Sequence, residues 1–176
     1  MRKFGVFAGM VFIAIILAGL YGMLHDQVTY SISPEYFTKF KYRQFDFDPL
    51  AFGGDRQTVA VIGFLATWWM GLIIGLPLAL LGLIFSDHRT MRATITKAIG
   101  VVFMIAILFG IAGFFWGKYY LINKGVNWWM PDNLINRNDF IIVGSIHNFS
   151  YLGGIAGLVS GIIYMIRKKY TLQKKS

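Results

Sequence analysis

His25, His88 and His147 are the only imidazoles in a chain of 176 residues that has no cysteine. His25 is followed by Asp26 and Gln27, and His147 by Asn148. Two imidazoles with carboxylate and amide oxygens nearby form a ligand set for copper, zinc or iron, with Asp26, Gln27, Glu35 and Asn148 as supporting oxygens. The same two histidines are suited to be axial ligands of a b-type haem. Without cysteine there are no disulfides, thiolate metal sites, iron–sulfur clusters or thioether-linked haem. Each histidine also has a purely structural use. His25 at a helix C-terminus complements the last carbonyls, and His147 can hydrogen-bond to a backbone or serine oxygen. His88 sits among Arg89 and Arg92 and reads as a solvated side chain.

These residues must be positioned by membrane helices. The chain is 56% hydrophobic and only 14% charged, well below the roughly 25% charge of an ordinary soluble domain. Four apolar runs, at 4–24, 58–85, 98–120 and 141–166, are each long enough to cross a bilayer, which takes about 20 helical residues. Loops 25–57, 86–97 and 121–140 join them, and a tail follows at 167–176. The reading is one domain: an all-α integral membrane protein, a four-transmembrane-helix antiparallel bundle with an ordered outer loop containing a short interfacial helix. The first run exceeds a signal-peptide core and lacks a small-x-small cleavage site, so it is expected to be a retained helix. His25 then ends the first span. His147 lies about two turns into the fourth, on the face shared with Gly154 and Gly161, pointing inward.

The net charge of +9 is distributed unevenly. One side of the expected bundle, holding both termini, carries ten basic residues against the single acid Asp87; the other carries seven basic and seven acidic residues. The positive-inside rule then makes both termini cytoplasmic, and the basic tail a topology anchor touching anionic lipid. No nucleic-acid partner is implied. The expected setting is a plasma membrane, a bacterial inner membrane given the size and simplicity of the chain.

Gly71 and Gly75, and Gly153, Gly157 and Gly161, are four residues apart, spacing that lets membrane helices approach closely, within the bundle or in a homo-oligomer. Pro77 is expected to bend the second helix. Trp68 and Trp69 fall near the middle of that span, as packing residues or as the wall of a lipid or quinone pocket.

In the first long loop, Val28, Tyr30 and Ile32 alternate with polar residues and predict an extended stretch. Ser33-Pro34-Glu35 predicts a helix start, with Ser33 as its cap and Pro34 in the first turn. Phe45 to Asp48 is expected to be extended again, ending at Pro49. Tyr36, Phe37 and Phe40, with Trp128 and Trp129 of the second long loop, are the expected contacts with lipid or a membrane-protein partner.

Hydrolase, zincin and phosphate-loop motifs are absent. No Asp or Glu falls inside the four apolar runs, which removes the usual carboxylate relay of proton-coupled transport. The leading expectation is a non-enzymatic accessory, scaffold or assembly component acting through its aromatic loops. The alternative is a haem- or metal-binding redox protein using His25 and His147, and a third is transport of a small neutral or lipidic molecule.

Overall fold

The computed structural model describes residues 2–48 and 52–174; Pro49, expected to close the first loop segment, and Lys175 of the basic tail lie outside them. Among the described residues, four helices are long and apolar enough to cross a membrane: α1 (Arg2–Ile32), α2 (Asp55–Gly82), α3 (His88–Trp116) and α4 (Arg137–Gln173). The protein is an all-α, four-helix membrane bundle. At 1.5 Å per residue α1 is about 47 Å long and α4 about 55 Å, so both outrun a hydrocarbon core of about 30 Å. The helices therefore extend past the apolar runs. Asp87 starts α3, its carboxylate accepting from the backbone N–H groups of Arg89 and Thr90 at 2.9 and 2.8 Å, a side-chain cap that satisfies two orphan donors.

The helices pair unequally: α1 lies along α2 and α3 along α4, and the two hairpins touch each other much less. Small residues account for this. A Cβ on Gly22 would stand 2.1 Å from the Gly63 carbonyl oxygen, and one on Gly71 2.4 Å from that of Ala14. In the other hairpin, Cβ atoms on Gly153 and Gly157 would come within 2.8 Å of the Ala106 and Val102 Cα atoms. Such close seams maximise dispersion contacts where lipid supplies no hydrophobic drive. Inter-helix hydrogen bonds reinforce them: the Thr67 hydroxyl lies 2.9 Å from the Ala18 carbonyl oxygen, and Ser145 donates to Gly113 at 2.8 Å. Gly161 meets Ala98 and Leu78 only at ordinary contact distance. Pro77 is accommodated inside α2.

The first long loop differs from its expected form in two places. Val28, Tyr30 and Ile32 belong to α1, not to an extended stretch, because the apolar alternation is overridden by continuation of the helix. Phe45 ends a helical turn, and Asp46 adopts a left-handed conformation (φ 53°) that stops it. Between them, segment 34–45 is helical throughout, with a π turn over Phe37–Lys41. Pro34 occupies the first turn as expected, but the Ser33 side chain forms no cap; its hydroxyl is buried.

This segment is tied to the second long loop. Glu35 accepts from the backbone N–H groups of Ile135 and Asn136 and pairs with Lys39, which also donates to the Asn133 carbonyl. The Ile135 N–H, then Lys39, then the Asn136 N–H hold the Glu35 carboxyl down to about 2. The two loops thus form one cap over the end of the bundle remote from the termini.

Two predictions follow from this geometry. Gly71→Leu forces a side chain into backbone and should lower thermal stability in detergent by about 1–3 kcal/mol or more, whereas Gly9→Ala, with open space around it, should leave it unchanged. The Glu35 contribution is complete above its ordinary value of 4.5 and is lost as pH falls from there toward 2. Fluorescence of Trp128 and Trp129 should therefore shift across that window in the wild type, and already be shifted at neutral pH in Glu35→Ala; a flat wild-type signal from pH 5 down would contradict the clasp.

Candidate functional site: a buried His–Asp–His cluster

Because α1 runs on to Ile32, Asp26 lies inside a membrane-spanning helix, contrary to the expectation that no carboxylate does. It is 2% exposed. An isolated charge there is strongly disfavoured, so it must be paired or hydrogen-bonded. Its Oδ1 lies 3.1 Å from His25 Nδ1 and 3.1 Å from His147 Nε2. His25 and His147 each sit eight residues from the midpoint of their helices, about 12 Å toward the loop end. Equal depth is what lets one carboxylate bridge two helices.

Each ring is anchored at its far nitrogen. His147 Nδ1 lies 2.9 Å from the Val143 carbonyl oxygen, which can only accept, so Nδ1 carries a proton. His25 Nε2 lies 3.2 Å from Ser150 Oγ. With Nδ1 of His147 already protonated, the contact between its Nε2 and Asp26 Oδ1 requires one further proton on one of those two atoms, or a cation between them. Asp26 Oδ2 is buried with no hydrogen-bond donor among the described residues.

The surroundings are aromatic and closed. Tyr36 from the loop cap stacks on His147 with centroids 4.8 Å apart, and Phe37 lies 6.3 Å from the same ring. Tyr21 flanks His25 at 5.6 Å. Above them, Lys41 is 7% exposed, its ammonium near the faces of Tyr36, Phe40 and Phe45; burial pushes that ammonium down and the Asp26 carboxylate draws it up. On the membrane side of the cluster, a cavity of about 60 Å³ lies between the two hairpins, with Ala18, Met70, Val102 and Gly154 among its walls. It has room for a few waters.

Not every expected site residue takes part. His25, Asp26 and His147 come together, with ligand atoms all within 4.8 Å of one another. Gln27 instead bonds Arg56, Glu35 holds the loops, and Asn148 is exposed beside an aromatic cleft formed with Trp128 and Trp129. Tyr36 (7% exposed) and Phe37 (0%) are turned into the bundle rather than offered to a partner; Trp129 is 64% exposed. Trp69 donates its indole N–H to the Ala66 carbonyl at 2.7 Å, and neither it nor Trp68 lines the cavity. Tyr21 and Lys41 were not singled out by sequence; Ser150 was expected near His147 on the inward face, and it contacts His25 instead. Ser150 is the one with a readable signal, three residues beyond His147 and so on a neighbouring part of the same helix face.

The rings do not have the arrangement of axial haem ligands. His25 and His147 meet edge to face, centroids 4.7 Å apart, with a shared carboxylate between their nitrogens. A porphyrin placed between two opposed imidazoles has no slot here. The two contacts of 3.1 Å on Asp26 Oδ1 are close to the roughly 3.3 Å between ligand atoms of a tetrahedral zinc centre with bonds near 2.0–2.1 Å, and the three ligand atoms as a set lie within 4.8 Å of one another.

No protein family, curated protein or solved structure matches this chain.

Proposed function

We propose that this is a metal-binding membrane protein whose His25, Asp26 and His147 hold one divalent first-row transition ion between the two helical hairpins. The observation that carries the reading is the convergence of His25 Nδ1 and His147 Nε2 on one buried carboxylate, while the far nitrogen of each ring has its own partner in Ser150 or Val143. Ligating imidazoles characteristically use the remote nitrogen in this way, which fixes ring orientation. With an ion present, both near nitrogens present lone pairs and the carboxylate supplies one negative charge. Three protein ligands leave a position open, the pattern of a reactive rather than a closed structural centre. Imidazole and carboxylate together suit zinc, iron or copper over magnesium or calcium.

The scaffold reading draws its support from the exposed Trp129 and Ile135 on the loop cap. It has less behind it than the cluster, since Tyr36 and Phe37 pack inward.

The test is calorimetric titration of zinc into chelator-stripped, untagged protein in detergent. One ion per chain should bind, and His147→Ala, Asp26→Asn and His25→Ala should each weaken it by at least about 100-fold, the upper range for loss of a mere supporting partner. Binding should also release about one proton per ion, read from the dependence of the heat on buffer, because the proton between His147 and Asp26 must leave. A wild type that binds no zinc, copper or ferrous ion in folded form overturns the proposal.

A further inference from the structure

The cavity between the hairpins is bordered by all three cluster residues, His25, Asp26 and His147. Two other hollows are not. A lipid-facing groove of about 470 Å³ between α1 and α3 meets only His25 of the three, and the aromatic cleft at Trp128 meets none. An ion held by the cluster therefore has the inter-hairpin cavity beside it, and the coordination position that three protein ligands leave open is filled from there.

The cavity wall also carries an unmet hydrogen-bonding demand. Asp26 Oδ1 is engaged by both imidazoles, whereas Oδ2 is buried with no donor among the described residues. The residue is only 2% exposed, and a buried carboxylate oxygen without a donor is strongly unfavourable. Hydroxyls that share the cavity are committed elsewhere: Thr67 lies 2.9 Å from the Ala18 carbonyl oxygen, Tyr151 donates to the Ala66 carbonyl at 3.3 Å, and Ser150 contacts His25. The missing donor must come from whatever occupies the cavity.

Size and charge restrict that occupant. A water takes about 10–15 Å³ of such space, so a cavity of about 60 Å³ holds a few waters or one molecule of a few heavy atoms. Apart from the cluster itself the walls are uncharged. They give an ionic occupant no partner, and burying one unpaired is strongly disfavoured.

We infer that the exchangeable ligand of this centre is a small neutral molecule that gives a lone pair to the ion and a hydrogen to Asp26 Oδ2: water at rest, and molecules of hydroxylamine size in its place. This rests on the metal reading and names the ligand class of that same site. Asp26 then uses its two oxygens differently, Oδ1 to hold the ion and Oδ2 to orient the ligand. A ring as large as imidazole does not fit.

The experiment uses the full chain in detergent, loaded with cobalt(II). Paramagnetic resonance in water enriched in the magnetic isotope of oxygen reads a metal-bound water as line broadening, and visible absorption reads its displacement. Wild type should show the broadening. Hydroxylamine, added anaerobically, should shift the cobalt band and remove the broadening, and imidazole at the same concentration should do neither. Gly154→Leu and Ala66→Leu fill the cavity from two helices. Helical side chains tilt toward the N-terminus, which in α4 and α2 alike is the loop end, so both added side chains lean toward the cluster. Each variant should bind one cobalt as wild type does, with the hydroxylamine midpoint raised at least about tenfold; two variants are used so that one remains if the other does not fold. A wild type that binds no cobalt defeats the metal reading itself. With cobalt bound, the inference alone is overturned by absence of the broadening, by displacement with imidazole, or by an unchanged hydroxylamine midpoint in a folded variant.

Discussion

A single carboxylate oxygen, Asp26 Oδ1, sits within 3.1 Å of two imidazole nitrogens from different helices, and the bundle around it is organised by the need to keep that group satisfied. In a low-dielectric interior an unpaired carboxylate is unfavourable by several kcal/mol or more. His25 is adjacent in sequence and would reach Asp26 in an isolated α1. His147 cannot, unless α4 is held at one rotation and one depth. The contact therefore joins the two hairpins, which otherwise meet over little surface.

The division of labour between seams and site follows from that. Within each hairpin, glycines bring backbones so close that no Cβ fits, leaving each pair rigid. Between the hairpins the helices meet over less surface, and that is where the cavity and the lipid-facing groove lie. Packing density in a core resists any extra volume; a binding space survives only where packing is not asked to hold the fold. The loop cap closes the opposite end, with Tyr36 laid on His147 and Glu35 fastening one loop to the other.

His25 belongs both to the cluster and to the wall of the groove. This one side chain borders every compartment of the site: Asp26 at Nδ1, Ser150 at Nε2, Tyr21 against its ring, and the groove at its edge. Its partial exposure, 13% for the side chain against 3% for Asp26 and 8% for His147, makes it the least enclosed member of the cluster, and it lines the groove.

The amino-acid sequence alone determined the four membrane helices, since an apolar run of about 20 residues has almost no other stable form in lipid. It also determined that His147 faces inward, because the 3.6-residue period places it in line with Gly154 and Gly161, both buried. The end of α1 was not legible. Val28, Tyr30 and Ile32 alternate like a strand, and polar residues beyond Leu24 lower the local hydropathy, yet the helix continues because its final turns pack under the loop cap. That misplaced end made Asp26 one of four supporting oxygens beyond the span rather than the buried carboxylate at the centre of the cluster. Only the tertiary structure decided that His25, Asp26 and His147 share one point, and that Gln27, Glu35 and Asn148 do not. Separations of 121 residues carry no spacing rule; such a meeting is fixed by the rotation and depth of helices against one another, which arise from packing along their whole length.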